Sequence, residues 1–200
     1  LIAANTYDEL GKLVKKGVGR GEKEYIKDSI IYKDVYRLEF FEDGTITKDT
    51  TSGWNGGFAT ENTIIEDGYI EFTYTSGNVV VGLSFTNINS RYNTIEYGIE
   101  CVYGRYRIIN NGIRTEKLGS AVSTDIFRVE RVGNKINYKK NGIIVHSGSA
   151  SQGELIGDTS FNNRFTKIDN LKMSNFKANS NSNSGYLQEL DYAYNIRGWL

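Results

Sequence analysis

The sequence predicts an all-β fold, an antiparallel β-sandwich, on three observations. Apolar and polar residues alternate with a period of two in one short run after another, which is the period of a strand. The runs are parted by Gly-Asn, Asn-Gly and Asp-Gly dipeptides, which supply the positive φ angles that two-residue hairpin turns need. The composition agrees: 14 Tyr and 9 Phe against a single Met, and 22 Gly with no Pro, suit strands joined by turns of Gly and Asn.

The clearest stretch is 125–149, DIFRVERVGNKINYKKNGIIVHSGS. Its runs 126–132, 135–140 and 143–147 form a meander through Gly133-Asn134 and Asn141-Gly142. Phe127 and Val129 point one way, Arg128 and Glu130 the other, so the first run is expected to have one wet face.

The remaining elements follow in chain order. Residues 5–18, NTYDELGKLVKKGV, hold a strand–turn–strand signal from Tyr7 to Leu13. Residues 24–33 carry Ile26, Ile30 and Ile31 at a spacing that suits a helix or a strand. In 36–42, Tyr36, Leu38 and Phe40 alternate with Arg37 and Glu39, and Asp43-Gly44 turns into 45–49, which makes a hairpin. TSGWNGGF, 51–58, is an irregular loop around Trp54. Asp67-Gly68 introduces 69–75, with Ile70, Phe72 and Tyr74 on one face, and Gly77-Asn78 turns into 79–86, with Val79, Val81, Leu83 and Phe85. Residues 94–103 place Ile95, Tyr97, Ile99 and Cys101 on one face, and 105–109 turn at Asn111-Gly112 into 113–118. The last strands are 154–161 and 167–177, the latter with Ile168, Met173 and Phe176. Roughly ten to twelve strands with closely spaced turns make two sheets facing one core.

Charge and cysteine use narrow the function. Lys+Arg and Asp+Glu both total 24, a formal net charge of zero, whereas a nucleic-acid surface needs a basic excess. No apolar run has the length to span a membrane. The opening LIAANTYDEL lacks the basic start and apolar core of a signal peptide, and LIAAN and RGWL read as cuts through a longer polypeptide. Cys101 is the single cysteine, so no intrachain disulfide or thiolate cage forms, and its strand parity with Tyr97 and Ile99 makes it a buried, inert thiol.

The two ends share a motif. Tyr7-Asp8-Glu9-Leu10-Gly11-Lys12-Leu13 follows the pattern Tyr-Asp-x-x-Gly-x-Leu, and Tyr194-Asn195-Ile196-Arg197-Gly198-Trp199-Leu200 repeats the spacing with Asn for Asp. Leu187-Gln188-Glu189-Leu190-Asp191-Tyr192 leads into the second copy. The pattern resembles the YD repeat of bacterial Rhs-type and wall-associated proteins, and self-similarity marks repeat architectures. That resemblance implies β-hairpin repeats that coil into a shell, with the middle of the chain inserted between two of them. The polar, low-complexity 178–185, ANSNSNSG, is a linker, and 17–21, GVGRG, plays a similar part on entry.

The middle carries a second likeness. Trp54, Asp67-Gly68-Tyr69-Ile70-Glu71-Phe72, Gly82-Leu83-Ser84, Phe127-Arg128-Val129-Glu130 and Tyr138-x-x-Asn141-Gly142, in that order, resemble the concanavalin A-like jelly-roll modules of large bacterial surface proteins. Such modules are similar to lectin, laminin-G-type and SPRY-type sandwiches, so the resemblance implies recognition and names no ligand.

Catalytic arrangements were weighed against plainer ones. Jelly-roll glucanases use Glu-x-Asp-x-Glu along one strand; here Glu96 and Glu100 stand four apart with Gly98 at the Asp position. Four residues of strand put their Cα atoms about 13 Å apart, against the ~5–5.5 Å carboxyl separation of a retaining site. We read them as solvated carboxylates. His146, the single histidine, has no Gly-x-Ser-x-Gly partner and no set of zinc ligands, and is read as an exposed strand residue. No catalytic residue is assigned. Asp158, Asn162 and Asn163 have calcium-type oxygen spacing, which is also common in turns, so no cofactor is assigned beyond an open question of structural calcium.

Sugar binding needs aromatic faces for C–H surfaces and amides or carboxylates for hydroxyls. Trp54 and Asn55 in the glycine-rich loop, and Asn89, Tyr92 and Asn93 in the loop NINSRYN, meet that description. Trp54 also reads as a core plug beneath its loop, and Tyr92 as a merely exposed ring. The expectation is a concanavalin A-like sandwich over 20–178 between YD-repeat segments at 1–19 and 186–200, with a linker at 179–185. Its role is non-catalytic binding of a glycan or cell-surface polymer; the alternatives are structural decoration of a YD-repeat shell and, last, a jelly-roll glycoside hydrolase. The family likeness implies an extracellular or cell-surface location.

Overall fold

The structure, a computed structural model, describes residues 3–7, 13–16, 30–175 and 188–189. The chain divides into two compact units, Leu1–Glu24 with Lys177–Leu200, and Tyr25–Phe176. In the first, β1 (Ala3–Tyr7) pairs antiparallel with β2 (Leu13–Lys16), with Tyr7 opposite Leu13. The strand–turn–strand read there is thus a strand pair. Its turn, the 178–185 linker, the 17–21 segment, Ile26, Phe176 and the second motif at 194–200 lie outside the described residues.

The second unit runs through β3 (Tyr32–Tyr36), β4 (Leu38–Phe40), β5 (Ile46–Lys48), β6 (Gly57–Ile64), β7 (Gly68–Ser76) and β8 (Val79–Ser84). After a 3-10 turn at Tyr92–Thr94 come β9 (Tyr97–Val102), β10 (Arg105–Asn110), β11 (Ile113–Arg114) and β12 (Gly119–Ser120). The meander follows as β13 (Ile126–Val132), β14 (Lys135–Lys140) and β15 (Ile143–Ser149), then β16 (Leu155–Phe161) and β17 (Lys167–Asn175). The last short strand, β18 (Gln188–Glu189), belongs to the first unit, parallel to β1.

Among the described residues the second unit has an eight-stranded sheet, β11-β10-β9-β8-β16-β6-β3 with β12 on β10, and a seven-stranded sheet, β15-β14-β13-β7-β17-β5-β4. This is more strands than the sequence suggested, because pieces of two or three residues such as β4, β11 and β12 are too short to show a period. The dipeptide turns explain the registers. Asn111 (φ 48°) and Gly112 (φ 72°), like Asn141 (φ 49°) and Gly142 (φ 80°), are left-handed at both positions, the geometry that joins twisted antiparallel strands without splaying them.

The core lies between the sheets. Ile70, Phe72, Phe127, Val129 and Tyr138 from one meet Val79, Val81, Leu83, Ile99, Cys101 and Ile108 from the other, all buried. Phe72 and Phe127 stack with centroids 5.7 Å apart. Burying each large side chain contributes roughly 1.5–3 kcal/mol, offset by the ordering entropy of the chain.

Local expectations fail at three places, for steric or electrostatic reasons. Tyr36 does not share a strand with Leu38 and Phe40. Arg37 takes a left-handed φ of 55°, and there the chain leaves β3 in one sheet for β4 in the other. Ile95 leaves the face of Tyr97, Ile99 and Cys101, because the 3-10 turn at Tyr92–Thr94 precedes it, and it packs with Val80 and Ile109 instead. Arg128 and Glu130 do oppose Phe127 and Val129, but their face is not simply wet. Arg128 pairs with Glu71 at 2.6 Å and Lys139 with Glu130 at 2.8 Å, which leaves Glu130 only 5% exposed.

Close approach of backbones explains the glycines of the central strands. Gly82 of β8 faces Gly98 of β9, and a Cβ on Gly82 would stand 2.1 Å from the Tyr97 carbonyl oxygen. Gly82→Ala therefore forces a backbone shift, with an expected loss of about 1–3 kcal/mol in urea denaturation. An unchanged midpoint would mean that the two strands are not pressed together there.

Candidate functional site

The outward face of the eight-stranded sheet carries an unusual set of side chains for a solvated surface. Register aligns Ser160, Val80, Glu100 and Arg107 across β16, β8, β9 and β10, and in the next row Asp158, Gly82, Gly98, Ile109 and Arg114. Two loops cover this face. In the longer, 85–96, Ser90 accepts a hydrogen bond from Ser160 Oγ at 2.7 Å. The backbone of Ile95 and Glu96 in turn accepts from Gly112 and Asn111. Beneath it Val80, Ile95 and Ile109 form a small second core, and Trp54 and Tyr92 pack on it, each half-buried.

The second loop, 51–56, is held by Lys48. Its side chain is wholly buried and runs under the loop; Nζ donates to Asn55 Oδ1 at 2.7 Å and Thr51 Oγ1 at 3.0 Å. Burial holds the Lys48 pKa below its usual value, with Asp49 acting in the opposite direction. Nothing in the sequence marks Lys48, which reads as a solvated hairpin residue.

Together the loops enclose a hollow of about 430 Å³ lined by Gly53, Trp54, Asn55, Arg91, Tyr92 and Asn93. The Trp54 and Tyr92 rings meet edge to face, 5.0 Å between centroids. Arg114 stacks on Tyr92 at 3.6 Å and lies 5.5 Å from Trp54. Glu100, fully buried, holds that guanidinium by two bonds of 2.9 and 2.6 Å and also accepts from Arg107 Nε. Of the residues singled out in the sequence, Trp54, Asn55, Tyr92 and Asn93 converge here, the two pairs 37 to 39 positions apart in the chain. Asn89 does not line the hollow; its Oδ1 accepts from the Arg91 N–H at 2.8 Å and shapes the turn. Trp54 combines both readings, one part packed on the second core and another lining the hollow.

The other candidates fall elsewhere. Glu100 is not a solvated carboxylate, because its partners Arg107 and Arg114 shut it in. Glu96 accepts from the Phe85 N–H at 3.2 Å. His146 lies exposed on β15 beside Tyr138. Cys101 is buried in the main core, and its thiol pKa is pushed well up by burial. Asp158 sits in the middle of β16, 1% exposed, accepting from Ser84 Oγ at 2.7 Å, while Asn162 and Asn163 lie beyond that strand's end. A smaller hollow of about 290 Å³ borders Arg131, which donates to the carbonyls of Ile64, Glu66 and Gly153 and ties three segments together.

No protein-family model matches this chain, and no curated protein matches its sequence. Solved structures do match. The TRIM65 PSpry domain superposes with a TM-score of 0.56 at 10% identity, over 73% of this chain and 92% of its own. The SPRY domain of human HERC1 gives 0.50 at 16%, over 76% and 97%. Carbohydrate-binding module CBM66 from Bacillus subtilis gives 0.50 at 11%, over 76% and 99%. The fold is a jelly-roll β-sandwich. At such identities the likeness concerns the fold alone, and the binding site has to be argued from the residues.

Proposed function

We propose that Tyr25–Phe176 is a non-catalytic carbohydrate-binding module that takes a saccharide in the hollow between Trp54 and Tyr92. The observation that carries this reading is the convergence of two distant loops on one hollow with two aromatic rings, two asparagines and an arginine. Rings offer faces to sugar C–H surfaces, while amides and guanidinium bond hydroxyls. The bracing from below by Lys48 and by Glu100 through Arg114 holds the site in shape before a ligand arrives, which reduces the ordering cost of binding. The jelly-roll likeness to a carbohydrate-binding module supports the same reading.

The test is a glycan array probed with the whole chain, followed by titration of any hit. Trp54→Ala is expected to weaken binding roughly tenfold or more, as loss of a central aromatic anchor does. A blank array, or a hit indifferent to Trp54, would reject the reading.

We further propose that the module is spliced into a YD-repeat chain at the cell surface. The Tyr7-to-Leu13 motif spans the paired strands β1 and β2, and Ala3 and Ala4 pair with Gln188 and Glu189, so the stretches before and after the module share one sheet. If the insert instead serves only to prop a repeat shell, deletion of 20–178 abolishes shell assembly; intact assembly and export after deletion favours the binding role.

A further inference from the structure

Charge at the hollow is not balanced. Among its lining residues there is one cation, Arg91, and no carboxylate. Arg91 is exposed; its backbone N–H is tied to Asn89, yet among the described residues its guanidinium has no ion-pair partner. A second guanidinium, Arg114, lies against both rings of the hollow. Its charge is only partly compensated, because Glu100 is shared between Arg107 and Arg114. Within this group Arg91, Arg107 and Arg114 against Glu100 leave two positive charges, while Lys48 beneath the second loop is offset by Asp49, in a chain whose net charge is zero.

We infer that the saccharide taken at this hollow is acidic, carrying a carboxylate or sulfate that Arg91 receives while its ring packs against Trp54 and Tyr92. The inference rests on the proposed saccharide binding and narrows it to one class. A planar guanidinium suits a carboxylate or sulfate better than a hydroxyl, since two parallel N–H groups meet two oxygens. The second charge, stacked on Tyr92 and partly buried, attracts an anion in the hollow and repels a cation. A neutral sugar gains little from either.

Matched pairs of polymers test this: polygalacturonate against its fully methyl-esterified form, and dextran sulfate against dextran, each titrated with the whole chain at two salt concentrations. The expected result is that the charged member of at least one pair binds roughly tenfold more tightly, a preference that shrinks with salt, as expected when a charge-assisted bond is made. Which pair responds separates carboxylate from sulfate. Arg91→Gln cuts the preference roughly threefold or more, Arg114 keeping the remainder, while Lys135→Gln, a loss of one exposed charge on β14, leaves it intact. An acid preference unchanged by Arg91→Gln, or one that falls equally with Lys135→Gln, would overturn the inference as diffuse attraction. Equal binding of charged and neutral partners that still depends on Trp54 would overturn it and leave the saccharide reading standing. Binding to none of the four polymers, together with a blank array, would fail both.

Discussion

Asp158→Asn makes the sandwich more stable above pH 7 and removes a large part of its response to pH. Asp158 lies on β16 under the 85–96 loop, 1% exposed. Burial raises its carboxyl from the ordinary 3.8 to about 7; the bonds from Ser84 Oγ and the Thr159 N–H oppose that rise, and the nearby Glu96 charge adds to it. The sign follows from proton uptake. With the folded pKa raised, the folded state binds more protons than the unfolded chain between 3.8 and about 7. Stability from this group is therefore fully present below 3.8 and is lost as pH rises through 7. That interval corresponds to about 4 kcal/mol. Asparagine keeps the shape and an oxygen for Ser84 without the charge. Urea denaturation of both proteins from pH 4 to pH 8 should show the variant gaining on the original across that window. Parallel curves at all pH values would mean that water or a cation reaches the carboxylate.

Glu100→Gln costs roughly 3 kcal/mol, the lower end of the range for breaking a buried ion pair. The change keeps the volume and one acceptor oxygen but takes away the charge, which leaves Arg107 and Arg114 side by side with no negative charge between them. Their side chains are 19% and 28% exposed, so each regains some water, which places the loss at the low end. The damage extends to the site. Arg114 loses at least one of the two bonds that hold it against Tyr92, so a ring of the hollow loses support, and the affinity of the proposed saccharide is expected to fall along with stability. Denaturation midpoints and saccharide titration of the same variant check both effects. A loss below about 0.5 kcal/mol, the size of an exposed surface pair, would show that the carboxylate is not the anchor of this face.

How much of this was legible beforehand depends on the range of the interaction. The meander from Ile126 to Ser149 was readable nearly to the residue because period-two alternation and Asn-Gly turns are local signals. Trp54, Asn55, Tyr92 and Asn93 were singled out by loop composition, but their meeting was not legible: it requires that the loops 51–56 and 85–96 lie over one face. Arg91 stood in the quoted loop and passed unremarked among its polar neighbours. Lys48 and Arg114 gave no sign at all, since each looks in sequence like a solvated strand residue, and Glu100 was noticed only as half of a carboxylate pair and read as solvated.

Alternation, turn dipeptides and a neutral, cysteine-poor composition thus determined an antiparallel sandwich, and they did so because each depends only on neighbours a few residues away. Only the tertiary structure brought β8, β9 and β16 together with both faces of the sheet covered, and with that Glu100 on the outward face was shut in by Arg107 and Arg114. Once water is excluded there, a carboxylate must find its cations and a lysine its acceptors. Those pairings, made between strands distant in the chain, are what shape the hollow.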